Sequence, residues 1–124
     1  MIPPAPARRL VVVTCMDARL EPLRQLGLEL GDAHVLRNAG AVVTDDVLRS
    51  LAVSSTFMGT RQALVVGHTG CGIETLETEL LPYDDVEEAV RDGVRRILES
   101  PLLPDGFSAS GRIYDVETGE LREL

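Results

Sequence analysis

Three short apolar runs, separated by segments with helical character, most constrain the fold of this chain. The runs lie at residues 10–13, 33–37 and 63–66 and are rich in Val and Leu. Runs of this length are typical of strands that are buried on both faces. Because strands that alternate with helices form a parallel sheet covered by helices, the predicted fold class is α/β.

Helix and turn signals fill the rest of the chain. Four helices are predicted: a short helix or turn at residues 20–27, one after the N-cap Thr44, one between Gly72 and Pro82, and one from Asp84 or Asp85 to Pro101. The closing stretch GRIYDVETGEL predicts two short strands around a turn at Thr118 and Gly119.

Length and composition predict a single domain that spans residues 1–124, with a disordered or frayed start at residues 1–7. Apolar residues make up 44% of the 124 residues, which suits one modest core. The net charge of −8 argues against a nucleic-acid surface. No apolar stretch approaches the roughly 18 residues of a membrane span, and the start lacks a secretory h-region. We therefore expect a cytoplasmic protein without a membrane partner.

Chemically capable side chains follow each predicted strand. Cys15 comes after the first strand, Asn38 after the second and His68 after the third. The carboxyl ends of parallel strands lie at one edge of the sheet, where ligands bind in such folds. The sequence therefore predicts a functional site that includes Cys15 and His68.

The spacing H-x-x-C at His68 and Cys71, in a glycine-rich turn after a buried strand, suits two ligands of one metal ion. If the first and third strands are neighbours, Cys15 joins them. Two thiolates and an imidazole favour Zn²⁺, and Asp17 can supply an oxygen as fourth ligand.

Other interpretations of these residues are weaker. Cys15 and Arg19 flank three residues, whereas a phosphatase-type loop needs five. GHTGCG is not a dinucleotide fingerprint, and a redox pair would favour C-x-x-C. Two inert buried thiols are the remaining alternative.

Four motifs together resemble the β-class carbonic anhydrases: CMDAR, RNAG, HTGCG and GRIYDVETGEL, in that order. The resemblance implies a sheet of strand order 2-1-3-4 with a short antiparallel C-terminal strand, and a homodimer or a dimer of dimers. It also implies Zn²⁺ held by Cys15, His68 and Cys71, with Asp17 and Arg19 as the catalytic dyad. One departure is the segment over residues 73–85, which is shorter than the family pattern.

The activity implied is the reversible hydration of CO₂ to bicarbonate and a proton by a zinc-bound hydroxide. Asp17 would accept a hydrogen bond from the hydroxide, while Arg19 would keep Asp17 ionised and turned away from zinc. In a closed state Asp17 would instead be the fourth zinc ligand. The alternatives are a hydrolase of CS₂ or COS at the same zinc site, and a non-catalytic zinc-stabilised binding domain.

The remaining residues near the predicted edge are expected to support it. Arg37 and Asn38 should form turn hydrogen bonds beside the site, Gly40 should meet a backbone requirement, and the Gly70 amide should approach a bound anion. His34 lies at the start of the second strand, about four residues or more than roughly 10 Å from the edge, so we expect it to be structural or on the surface.

Overall fold

The computed structural model describes residues 1–70, 80 and 83–124. Its strands are β1 (Leu10–Cys15), β2 (Ala33–Asn38), β3 (Gln62–His68), β4 (Ser108–Tyr114) and β5 (Leu121–Glu123). They form one sheet in the order β2-β1-β3-β4-β5. The first four strands pair in parallel, and β5 runs antiparallel to β4. The predicted α/β class, the strand order and the antiparallel C-terminal strand are confirmed.

The described helices are α1 (Pro22–Gln25), α2 (Asp45–Met58) and α3 (Val86–Glu99). The Thr44 hydroxyl accepts a hydrogen bond from the Val47 N–H, so Thr44 caps α2 as predicted. Asp85, not Asp84, caps α3. The short helix or turn predicted at residues 20–27 is the single turn of α1, which ends before Gly27, where φ is 70°. The predicted helix after Gly72 lies outside the described residues.

Alternate residues of β1 bury opposite faces of the sheet. Val11 and Val13 are fully buried in the cluster that contains the apolar residues of α2 and α3. Val12 packs in a second cluster on the other face, against Leu26 and Leu28. The central strand is therefore buried on both sides, as its uninterrupted apolar run predicts.

Helix α3 lies directly on the backbone of β3 and β4. A Cβ atom on Gly67 would be 2.5 Å from Val86 Cγ1 and 2.8 Å from Val90 Cγ2, and one on Gly111 would be 2.6 Å from Val90 Cγ1. Side chains at these positions would force the helix away from the sheet. Gly67 precedes His68, so this contact fixes the backbone on which His68 is carried.

Residues 1–7, predicted to be disordered or frayed, contain no helix or strand but are hydrogen-bonded to the rest of the chain. The Ala7 N–H donates to the Gly31 carbonyl at 2.9 Å. The ring Nε2 of His34 lies 2.8 Å from the Pro4 carbonyl oxygen. In the described part of the chain, no helix is long and apolar enough to cross a membrane.

Candidate active site

The predicted site edge lies at the carboxyl ends of β1 and β3. These strands are neighbours, with Thr14 of β1 opposite Val66 of β3, and the Thr14 hydroxyl donates to the Val66 carbonyl at 2.9 Å. Cys15 closes β1 with 2% of its surface exposed, and His68 closes β3 with 1% exposed. The parallel pairing therefore brings Cys15 and His68 to the same end of the sheet, as expected.

Asp17 and Arg19 form a bidentate ion pair just beyond β1. The Arg19 Nε and Nη2 atoms donate to Asp17 Oδ1 at 3.0 Å and Oδ2 at 2.7 Å, and the Arg19 N–H donates to Oδ1 at 2.8 Å. These hydrogen bonds from the guanidinium and then from the backbone hold the pKa of Asp17 well below its usual range. Asp17 is therefore a fixed carboxylate at neutral pH.

Arg19 also connects the two strand ends. Its Nη2 donates to the Gly70 carbonyl at 2.8 Å, two residues after the end of β3. We expected the Gly70 amide to approach an anion. In the structure the Gly70 carbonyl accepts from Arg19, and the expectation for the amide stays a prediction. One guanidinium thus fixes the Asp17 carboxylate relative to the segment that follows His68.

The two nitrogens of the His68 ring have different surroundings. Its Nδ1 lies 2.9 Å from the Thr69 carbonyl oxygen, which can only accept, so in the neutral ring the proton is on Nδ1. The opposite nitrogen, Nε2, is buried, and among the described residues it has no hydrogen-bond partner. It lies 3.8 Å from Asp17 Oδ2. A buried lone pair without a donor is typical of a metal ligand whose other nitrogen is oriented by a carbonyl.

Cys15 lies between an apolar cluster and a backbone donor. It packs with Leu20, Tyr114 and Val116, and its Sγ accepts the Gly40 N–H at 3.4 Å. Cys15 is a free thiol. A thiol in this position is a soft ligand with a backbone N–H as hydrogen-bond donor and restricted access for water.

Arg37 holds the backbone that carries Cys15 and Asp17. Its Nε donates to the Cys15 carbonyl at 2.9 Å, and its Nη2 donates to the Asp17 carbonyl at 2.8 Å. We expected turn hydrogen bonds for Arg37, and it instead reaches across to the segment after β1. The sequence alone missed these bonds because backbone carbonyls carry no residue-type signal.

Two hydrogen bonds of Thr69 fix the chain at the end of β3. The Thr69 N–H donates to the Tyr114 carbonyl at 2.9 Å, and the Thr69 hydroxyl accepts the Val116 N–H at 3.1 Å. The predicted strand order places β4 beside β3, but these two contacts depend on the register between the strands, which local patterns do not specify. His34, by contrast, pairs with Val11 near the other end of the sheet.

The remaining predicted ligand, Cys71, and the neighbouring Gly72 lie outside the described residues. Within residues 1–70, 80 and 83–124, no three His, Cys, Asp or Glu side chains form a group placed to hold a metal ion. The described members of the predicted ligand set are therefore Cys15, His68 and Asp17.

Cys15, His68 and the Asp17–Arg19 pair all lie at the carboxyl end of the 2-1-3-4-5 sheet, and known relatives identify the class of α/β protein to which this arrangement belongs. The sequence model of the carbonic anhydrase family matches residues 10–85. Beta-carbonic anhydrase 1 of Mycobacterium tuberculosis is 42% identical, over 99% of this chain and 86% of its own length. The chain belongs to the β-carbonic anhydrase family.

A solved structure supports the same family, and a further sequence relative is named for a different activity. The crystal structure of carbonic anhydrase from Streptococcus mutans matches with a TM-score of 0.93 and 43% identity, over 100% of this chain and 86% of that one. A carbon disulfide hydrolase from Acidianus is 33% identical, over 94% of this chain and 77% of its own length. The mycobacterial alignment runs to 140 residues, more than the 124 of this chain, so that relative carries residues that this chain lacks.

Proposed function

We propose that this protein is a zinc-dependent carbonic anhydrase that catalyses the reversible hydration of CO₂ to bicarbonate and a proton. The observation that carries the proposal is the buried Nε2 of His68, which has no hydrogen-bond partner among the described residues and lies 3.8 Å from Asp17 Oδ2. The 42% identity to a β-carbonic anhydrase supports the choice of reaction.

The residues present fit a zinc ion. Cys15 Sγ and His68 Nε2 are of the two ligand types that structural and catalytic zinc sites use most, and Cys71 is the proposed third ligand. When bound, the ion would lower the pKa of a coordinated water and so supply a nucleophile near neutral pH. In the closed state that we propose, Asp17 turns from Arg19 and becomes the fourth ligand.

Asp17 is the residue that we propose to orient the nucleophile. Its carboxylate is ionised and held by Arg19 through both oxygens, so a remaining lone pair can accept a proton of the attacking water as a hydrogen bond. That bond fixes the direction of the water's lone pair toward carbon. Arg19 keeps Asp17 ionised and, through the Gly70 carbonyl, keeps it beside His68.

Besides a nucleophile, the reaction requires an apolar surface for CO₂, and we propose that the side chains packed around Cys15 supply it. Leu20, Tyr114 and Val116 form a wall beside the sulfur. CO₂ is linear and apolar, so such a wall accepts it without a hydrogen-bond cost, whereas bicarbonate is charged and leaves toward solvent.

A stopped-flow CO₂ hydration assay, combined with metal analysis of the same preparation, tests this proposal. We expect one zinc per chain and a rate that is lost when the metal is chelated and restored when zinc returns. A preparation that takes up zinc at well under one equivalent, or that holds zinc and does not hydrate CO₂, would refute it.

A second candidate reaction is the hydrolysis of CS₂ or COS at the same site. It is favoured by the 33% identity to a carbon disulfide hydrolase. Assaying both substrates beside CO₂ separates the two, because a carbonic anhydrase should turn over CO₂ by far the fastest.

We also propose that the protein forms a homodimer or a dimer of dimers in the cytoplasm. Phe57 and Leu98 are large apolar side chains that are 78% and 58% exposed, and burying them between copies would favour association. In the cytoplasm thiols such as Cys15 stay reduced and available as ligands. Sedimentation of the zinc-loaded protein and cell fractionation test these two points. An active monomer at micromolar concentration would exclude the first.

A further inference from the structure

The turn that joins β2 to α2 is closed by a single side-chain amide. Asn38 Nδ2 donates to the Val42 carbonyl at 2.7 Å, and Asn38 Oδ1 accepts the Val42 N–H at 3.0 Å. The two bonds span the three residues between Asn38 and Val42. Because a carboxamide offers one donor and one acceptor in one plane, Asn matches both groups of one residue's backbone.

The backbone inside this turn is left-handed at two successive positions. Gly40 has a φ of 89°, and Ala41, which is fully buried, has a φ of 56°. An alanine adopts this conformation only where its surroundings impose it. The Asn38 bonds to Val42 supply that constraint.

The left-handed turn points the Gly40 N–H at the Cys15 sulfur, with an N···Sγ distance of 3.4 Å. The same segment is attached to β1 by the Met16 N–H, which donates to the Asn38 carbonyl at 2.8 Å. A thiol is a weak acceptor, whereas a thiolate accepts a charge-assisted hydrogen bond. The Gly40 N–H is therefore placed to donate to the sulfur atom that a metal ion would bind.

We infer that Asn38 is a positioning residue for the Cys15 thiolate, acting through the Gly40 N–H. The inference rests on the proposed function in so far as it takes Cys15 to be a metal ligand. The hydrogen bond fixes the direction of the sulfur lone pairs and withdraws charge from them. Partners of this kind typically change metal affinity by about 10–100-fold when they are removed.

Two substitutions of Asn38 and one control test the inference. Asn38→Ala removes both bonds to Val42. Asn38→Asp keeps an acceptor for the Val42 N–H but places an oxygen against the Val42 carbonyl, so it should behave between the wild type and Asn38→Ala. Thr44→Ala is the control, because it removes the cap of α2 at the Val47 N–H without touching the Cys15 environment.

Three measurements on the purified full chain report on the sulfur and its donor. They are the rate of zinc release to a chelator, the thiolate-to-Co²⁺ absorption band of the cobalt-loaded protein, and the hydrogen exchange of the Gly40 amide in metal-free protein. In Asn38→Ala we expect zinc release faster by about tenfold or more, a shifted cobalt band and faster Gly40 exchange. Thr44→Ala should lower thermal stability and leave all three at wild-type values.

The inference is overturned if Gly40 exchange rises in Asn38→Ala while zinc release and the cobalt band stay as in the wild type, or if Thr44→Ala changes them equally. Should Asn38→Ala fail to fold, the comparison of Asn38→Asp with Thr44→Ala decides by the same criteria. Failure of the proposed function looks different: the wild type itself would not bind zinc, whatever Gly40 exchange shows.

Discussion

The two segments that form the site are held in different ways. The β1 loop, residues 15–20, is fixed by charged side chains, since Arg19 binds the Asp17 carboxylate and Arg37 binds the carbonyls of Cys15 and Asp17. The β3 loop, residues 68–70, is held mainly by neutral groups, namely the Tyr114 carbonyl and the Val116 N–H that bond to Thr69, and Arg19 adds one charged donor at the Gly70 carbonyl.

Because the two loops are held differently, substitutions in them should affect different properties: the catalytic rate in one loop and the folding stability in the other. The Arg19 side chain is 54% exposed, and exposed ion pairs contribute about 0–1 kcal/mol to folding. A displacement of about 1 Å at a reacting group, however, can lower a rate by roughly 100-fold. Changes in the β1 loop should therefore reduce activity far more than stability, whereas changes in the β3 loop away from His68 should mainly reduce stability.

The largest effect is expected for Arg19→Ala, which removes both the Asp17 ion pair and the bond to Gly70. The freed carboxylate can move to the position that the nucleophile needs, so CO₂ hydration should fall by about 100-fold or more in a stopped-flow assay. Thermal stability should change little. Arg24→Ala is the matched control, because Arg24 forms an exposed ion pair with Glu21 away from the site. Equal losses in the two variants would contradict the assignment.

A smaller effect is expected for Arg37→Ala, because the Asp17–Arg19 pair survives while the carbonyls of Cys15 and Asp17 lose only their bonds from Arg37. We expect the hydration rate to fall by about tenfold, less than for Arg19→Ala. Arg37→Lys can restore at most one of the two bonds and should recover part of the loss. If Arg37→Lys hydrates CO₂ no faster than Arg37→Ala, the hydrogen bonds from Arg37 to the two carbonyls do not explain the loss of rate.

For the β3 loop, Thr69→Val removes the hydrogen bond from the Val116 N–H and the weaker one to the Asp115 carboxylate, and it conserves volume. The free energy of unfolding should drop by about 1 kcal/mol, as is usual for one such bond. Because His68 and Thr69 keep their backbone bonds, activity should stay close to that of the wild type. Denaturant unfolding and the hydration assay on the same preparation check both points. A rate loss as large as that of Arg37→Ala would show that the two loops do not differ in this way.

The smallest effect concerns acid stability. The pKa of Asp17 is lower in the folded protein than in the unfolded chain, so Asp17 stabilises the fold above the unfolded value of about 3.9, and this contribution is lost as the pH falls through and below it. The free energy of unfolding of the metal-free wild type should therefore decline more steeply below about pH 4 than that of Asp17→Asn, by no more than about 1 kcal/mol for so exposed a partner. If the free energies of unfolding of the two proteins change in parallel with pH, the Asp17–Arg19 ion pair does not stabilise the fold in this way.

The sequence predicts the fold and the strand ends that carry the site better than it predicts the contacts that hold the site residues in place. The strand ends at Cys15 and His68 follow from apolar runs that stop at polar residues, and parallel topology then places both at one edge. The single turn of α1 was predicted as a short helix or turn that ends at Gly27, where the chain leaves the helical path between the partly buried Leu26 and Leu28. Contacts such as Arg37 with the Cys15 carbonyl depend on the β1–β2 register, which local patterns do not specify.

The order of the strands also has a kinetic consequence. Cys15 and His68 lie on adjacent strands of the sheet, but more than fifty residues of chain separate them, including all of β2 and α2. Long-range parallel pairing of this kind forms only after a large loop has closed, which is a slow step in folding. A cation that needs both side chains therefore binds best to a chain in which β1 and β3 have already paired, because binding to the unpaired chain must also close this loop. It would act on the lifetime of the folded protein and not as a nucleus for its formation.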